Sequence, residues 1–122
     1  MPFITNSVFT DVEKAHLEFV LSCDFPEKNQ VIEQLNKMKD AEITREVTPA
    51  AWILEFRPNG VNPGQGPMRP YIDLQVLHGN GTAPTVFTLY ERNGVIFELE
   101  IYNADSSALD FDTIMIGDVC AS

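Results

Sequence analysis

Residues 85–102 decide the fold, and they read Thr-Val-Phe-Thr-Leu-Tyr-Glu-Arg-Asn-Gly-Val-Ile-Phe-Glu-Leu-Glu-Ile-Tyr. Apolar and polar side chains alternate on both sides of the central Arg-Asn-Gly, which is typical of two strands joined by a tight turn. The pattern predicts strands at about 85–91 and 95–102 that form an antiparallel hairpin.

The register of this hairpin follows from keeping one face apolar. A two-residue loop sets Phe87 opposite Glu100, whereas a three-residue loop over 92–94 sets Phe87 opposite Leu99. A slip of one residue moves every side chain to the other face, so we favour the three-residue loop, with Gly94 as a glycine bulge after a type I turn. The predicted core face then carries Phe87, Leu89, Phe97, Leu99 and Ile101, and the predicted outer face carries Glu98, Glu100 and, if the neighbouring strand is in step, Asp73, Gln75 and Thr88.

Two helices are predicted before the strands. Residues 10–13, Thr-Asp-Val-Glu, form a capping box, and apolar residues follow at helical spacing, which indicates a helix over about 11–22. Asp24 and Pro26 predict a second helix over about 25–39, with Asp24 as its N-cap. After Asp40 the apolar period changes to two and predicts strands at about 43–47, 52–57 and 71–78.

The segment 57–70 holds four prolines and three glycines in 14 positions. Neither a helix nor a paired strand tolerates that composition, so we expect a mobile loop that serves as a hairpin connection or contacts a partner. The chain as a whole is expected to form a single α+β domain over 1–122. Its two N-terminal helices would pack on one face of a four- to five-stranded antiparallel meander sheet.

Several functional classes are excluded or disfavoured by composition. With 18 acidic and 8 basic residues the formal net charge is −10, which opposes direct binding of nucleic acid. The longest apolar run, 50–54, is far too short to cross a bilayer, and no signal peptide is visible. We therefore expect a cytoplasmic protein with reduced Cys23 and Cys120. No nucleophile elbow, phosphate-binding loop or zinc-ligand pattern occurs, so we expect no catalytic residues, metal or cofactor.

The acidic residues are unevenly distributed. Residues 1–70 carry 10 acids and 7 bases, whereas residues 71–122 carry 8 acids and one base, Arg92. One explanation is solubility alone; the sharper one is an acidic surface that meets a basic partner, with Tyr71, Tyr90 and Tyr102 as anchors. The candidate contact residues are Asp73, Glu98, Glu100, Tyr102, Asp105, Asp110 and Asp112.

The segment 84–105, Pro-Thr-Val-Phe-Thr-Leu-Tyr-Glu-Arg-Asn-Gly-Val-Ile-Phe-Glu-Leu-Glu-Ile-Tyr-Asn-Ala-Asp, resembles the closing hairpin of small acidic bacterial immunity proteins of polymorphic toxin and contact-dependent growth inhibition systems. The resemblance implies a cytosolic inhibitor that binds one toxin domain and blocks its active site. From the acidic surface we expect this toxin to be a basic nuclease whose nucleic-acid groove the surface occupies. The resemblance carries over no catalytic residue.

Two alternatives remain open. Helices followed by a curved sheet also describe cystatin-like and NTF2-like domains, which bind a small ligand between helices and sheet, with His16 and Asp73 facing the pocket. A homodimer is the other alternative, because strand edges near 43–47 or 111–116 can pair between chains.

Overall fold

The computed structural model describes residues 3–5, 8–38, 42–57, 64–76 and 83–109. It confirms an α+β fold with two helices followed by five strands, all in one antiparallel sheet. In chain order the elements are α1 (Asp11–Leu21), α2 (Lys28–Asn36), β1 (Glu42–Val47), β2 (Ala51–Arg57), β3 (Met68–Val76), β4 (Thr85–Arg92) and β5 (Val95–Asn103).

The start of α1 is the predicted capping box. The Glu13 amide donates to the Thr10 hydroxyl at 3.2 Å, and the Thr10 amide donates to the Glu13 carboxylate at 2.9 Å. The start of α2 differs from the prediction. Its N-cap is Glu27, which makes no side-chain capping bond, so the prediction of a helix from residue 25 capped by Asp24 is wrong. Residues 25–27 form a turn before the helix, in which the Lys28 amide donates to the Phe25 carbonyl.

The strand order is β1-β2-β5-β4-β3. The sheet is therefore not a simple meander, in which β2 would pair with β3, because β5 and β4 lie between these two strands. The hairpin β4–β5 occupies the middle of the sheet, and β1 and β3 form its edges. This order places the acidic strand β5 at the centre.

The turn between β4 and β5 is tighter than predicted. Arg92 pairs with Val95, and Asn93 and Gly94 have φ values of 54° and 80°, as a type I′ turn requires. The expected three-residue loop with a glycine bulge is therefore wrong.

A bulge farther along β5 restores the alternation. Tyr90 pairs with Glu98 while Glu91 pairs with Ile96, which makes Phe97 the extra residue. Ile96 is fully buried, and Phe97 lies outside the hydrophobic cluster, so the prediction that Phe97 points into the core is wrong. The other predicted core residues of the hairpin are fully buried: Phe87, Leu89, Leu99 and Ile101.

Part of the predicted loop 57–70 is strand. Met68, Arg69 and Pro70 pair with β4, and the register shifts between Pro70 and Ile72. The prediction that this segment cannot pair is wrong for 68–70, because an edge strand tolerates proline where no partner needs its amide. Residues 58–63 lie outside the described part of the chain, so their mobility stays a prediction.

The inner face of the sheet, which carries Trp52, Phe87 and Leu99, contacts α1. The Phe19 ring lies 4.9 Å from the Phe87 ring, and the His16 ring lies 5.1 Å from the Trp52 ring. The hydrophobic cluster includes residues of both helices and of β2 to β5. No helix in the described residues is long and apolar enough to cross a membrane.

Cys23 is 2% exposed, next to the end of α1. It is disulfide-bonded in the structure, which contradicts the prediction that Cys23 is reduced. Cys120 lies outside the described residues.

Candidate functional site: the acidic face of the sheet

The outer face of the sheet gathers carboxylates from four strands. The pairing register aligns Glu46, Ile53, Glu100, Thr88 and Asp73 in one row that crosses all five strands. The adjacent row sets Glu55 of β2 directly opposite Glu98 of β5. We call this surface the acidic face, defined by Glu46, Glu55, Asp73, Glu98 and Glu100 together with Tyr90 and Tyr102.

Hydrogen bonds fix the middle of the acidic face. The Thr88 hydroxyl donates to the Asp73 carboxylate at 2.5 Å, and the Tyr90 hydroxyl donates to the Glu100 carboxylate at 3.4 Å. Thr88 is only 3% exposed although it lies on the outer side of the sheet. The face therefore presents ordered carboxylates above a polar layer, and the predicted alignment of Asp73, Thr88 and Glu100 on one side is confirmed.

Glu98 lies at the electrostatic centre of the acidic face. It is half-buried, and burial raises the pKa of its carboxyl above the ordinary value of 4.5. The negative charges of Glu100, Glu55 and Glu46 raise this pKa further, while Arg92 lowers it. Burial, together with the like charges of the neighbouring carboxylates, therefore outweighs the compensation from the nearby arginine.

Burial and the neighbouring carboxylates also raise the pKa values of the two tyrosines of the acidic face, Tyr90 and Tyr102. Burial raises the pKa of the Tyr90 hydroxyl, and the charge of Glu100 raises it further. Burial and the charges of Asp73 and Glu100 likewise raise the pKa of Tyr102. Both hydroxyls therefore stay protonated at neutral pH and remain available as hydrogen-bond donors.

Two arginines border the acidic face at one end. The Arg57 side chain donates to Glu55 at 3.1 Å, and the Arg92 guanidinium lies 4.2 Å from the centre of the Phe97 ring. Sequence reasoning missed Glu55, because β2 is far from β5 in the sequence although the two strands are neighbours in the sheet. It missed Phe97 because the bulge changes the direction of this side chain. The alternating pattern of 51–57 was the only signal for Glu55, and it did not reveal that β2 pairs with β5.

The other predicted contact residues are not all on this face. Tyr71 packs against the hydrophobic cluster and donates to the Gly94 carbonyl at 3.2 Å, so its grouping with the other two tyrosines is wrong. Asp105 lies in the turn after β5 and accepts from the Ser107 amide at 3.0 Å. Hydrogen bonds from the side chain and then from the backbone amide of Ser107 lower the pKa of the Asp105 carboxyl. Asp110 and Asp112 lie outside the described residues.

The arrangement suits recognition of positive charge. Across the described ranges, no group of three or more His, Cys, Asp or Glu side chains is placed to hold a metal ion. His16 is 3% exposed beside Trp52 and Phe87, and burial lowers its pKa. It lies on the inner side of the sheet whereas Asp73 lies on the outer side, so the two do not face one common pocket.

Comparisons with protein-family models, with curated proteins and with solved structures find no match to this chain.

Proposed function

We propose that the protein is an immunity protein, which binds a cognate bacterial toxin domain through the acidic face and thereby blocks the toxin. The observation that carries this proposal is the placement of five carboxylates on one side of the sheet, with Glu98 opposite Glu55 and two residues from Glu100 on the same strand. Such an arrangement costs the free protein stability, because like charges directly opposite in a sheet repel each other.

A cationic partner removes this electrostatic destabilisation when it binds, which favours the complex. Lys or Arg side chains docked among these carboxylates relieve their mutual repulsion and form charge-assisted hydrogen bonds. Complementary potentials also steer the encounter and fix the orientation of the complex. A toxin that acts on nucleic acid has a basic groove, so the partner class that fits best is a basic nuclease domain whose groove the acidic face covers.

The size and composition of the face agree with this role. Five strands spaced about 4.8 Å apart make the face roughly 20 Å wide, which suits the centre of an interface that buries about 800 Å² per partner. Tyr90, Tyr102 and Phe97 supply large aromatic surfaces within or beside it, and aromatic residues are enriched among binding hot spots. The resemblance of residues 84–105 to immunity-protein hairpins supports the same assignment.

The test uses the gene next to that of this protein in its native operon. The C-terminal domain of the encoded secreted protein is produced in an inducible strain, with and without this chain. We expect the domain alone to stop growth, co-expression to restore it, and the two proteins to co-purify in a 1:1 ratio. Growth arrest that co-expression leaves unchanged, with no complex on purification, would contradict the proposal.

A further inference from the structure

A second site lies on the opposite side of the sheet from the acidic face. A groove of about 500 Å³ is lined by Glu27, Pro67, Arg69, Pro70, Glu91, Asn93 and Gly94. Glu91 pairs with the fully buried Ile96, which assigns Glu91 to the inner side, near the start of α2. The groove therefore shares no residue with the acidic face and does not depend on the proposed function.

The walls of the groove are held together by hydrogen bonds. Gln34 of α2 accepts from the Ile96 amide at 2.8 Å and donates to the Gly94 carbonyl at 3.3 Å. The Tyr71 hydroxyl donates to the same carbonyl at 3.2 Å. These bonds join α2, β3 and the β4–β5 turn into one frame around the groove.

The turn side of the groove is also closely packed. A Cβ added to Gly66 would lie 2.6 Å from Asn93 Oδ1, so the segment before Pro67 lies directly against the side chain of this turn residue. The groove is thus formed before any ligand arrives, and pre-formed sites pay less ordering entropy on binding.

The groove carries charges of both signs. Arg69 and Glu91 are directly opposite each other in the β3–β4 register. Among the described residues, however, Arg69 makes no ion pair with Glu91 or with Glu27. Both carboxylates lie close enough to Tyr71 that their charges add to burial in raising its pKa. The groove therefore offers a guanidinium and two carboxylates, with proline rings as apolar walls.

We propose that this groove binds a small zwitterion of the free α-amino acid class. The ligand ammonium group lies between Glu27 and Glu91, and the ligand carboxylate pairs with Arg69. A lone cation leaves Arg69 without a counter-charge and a lone anion leaves the two glutamates without one, so only a ligand with both charges satisfies every charged group of the groove. The proline rings contact the ligand side chain.

The experiment records ¹H–¹⁵N spectra of the full chain during titration with each of the twenty amino acids at millimolar concentration. We expect at least one of them to shift the amides of Arg69, Asn93 and Gly94 in a saturable manner. Ethylamine and acetate serve as the single-charge probes and should leave these amides unchanged. Failure of all twenty amino acids, or equal shifts with ethylamine or acetate, would overturn the proposal.

Matched variants locate the site. Arg69→Gln and Glu91→Gln change exposed or half-exposed groups and should weaken binding about tenfold or more, since each removes a charge-assisted hydrogen bond. Arg57→Gln and Glu33→Gln remove the same charges elsewhere on the surface and should leave the affinity unchanged. Equal affinity in the groove variants and in these controls would place binding elsewhere and overturn the assignment.

Discussion

The two faces of the sheet are built from the same strands but differ in chemistry: the inner face is apolar and buried, and the outer face carries carboxylates. On the inner face Phe87, Leu89 and Leu99 are fully buried and contribute to one hydrophobic cluster. On the outer face Glu98 and Glu100 alternate with Leu99 along β5; Glu98 is opposite Glu55 of β2, and Glu100 shares a row with Asp73 of β3. The apolar side chains of the inner face are buried against other parts of the same chain. The carboxylates of the outer face repel one another, and a cationic partner can relieve this repulsion.

Two glutamates show this difference at single-residue scale. Burial alone would raise the pKa of Glu13, but hydrogen bonds from Arg45 and Thr10 and the charge of Arg45 outweigh it, so its pKa lies below 4.5. Glu98 has burial and like charges around it, and its pKa is raised. A carboxylate with a cationic partner stabilises the fold when ionised, and one among other carboxylates destabilises it.

The largest expected effect tests which β5 residue belongs to the inner face. Ile96→Ala should lower the free energy of unfolding by about 2–5 kcal/mol, because it leaves a cavity in a fully buried position. Phe97→Ala should cost about 1 kcal/mol or less, since the ring lies outside the core and loses mainly its contact with Arg92. Urea denaturation measures both. The reverse ranking would restore the register with Phe97 inward.

A smaller loss is expected from the paired glutamate. Glu13→Gln should lower stability at neutral pH by about 1–2 kcal/mol, because the bonds from the partly exposed Arg45 lose their charge assistance. The folded pKa lies below 4.5, so this contribution is present above pH 4.5 and disappears as the pH falls through the folded pKa. Unfolding curves at pH 7 and at pH 3 measure it. A difference between variant and wild type that grows on acidification would contradict the assignment.

The smallest effect has the opposite sign. Glu98→Gln should raise stability at pH 7 by about 0.2–1 kcal/mol, since it removes one charge opposite Glu55. The folded pKa of Glu98 is raised above 4.5. Protonated Glu98 therefore contributes its full stability to the wild type below pH 4.5, and this contribution is lost as the pH rises through the folded pKa. Variant and wild type should therefore be equally stable near pH 4 and diverge at higher pH. Thermal unfolding across this range checks the sign, and a destabilised variant at pH 7 would refute it.

Local patterns were sufficient for the number and order of the described helices and strands and for the outer-face carboxylates of β5, but not for the start of α2 or for the pairing of residues 68–70. The capping box at Thr10 and the two strands predicted at about 85–91 and 95–102 each depend on neighbouring residues, and both predictions are confirmed. Strand order was not predictable in the same way. The pairing of β2 with β5 joins residues more than forty positions apart, and no periodicity within either strand specifies it.

The hairpin error has a specific physical cause. The Asn-Gly turn favours a two-residue loop, while the apolar alternation requires a different parity. We treated these preferences as alternatives, but the bulge at Phe97 satisfies both by absorbing one residue. The same bulge places Phe97 beside the acidic face, where the sequence analysis did not predict it.

The most direct test of the central claim compares the two sides of the molecule in binding to the cognate toxin domain. One variant carries Glu55→Gln, Glu98→Gln and Glu100→Gln on the acidic face, and its control carries Asp11→Asn, Asp24→Asn and Glu33→Gln on and beside the helices. Both lose three negative charges, and calorimetric titration measures their affinities. We expect the acidic-face variant to bind at least about tenfold more weakly than the control. Equal affinities, or a larger loss in the control, would contradict the claim that the acidic face is the docking surface.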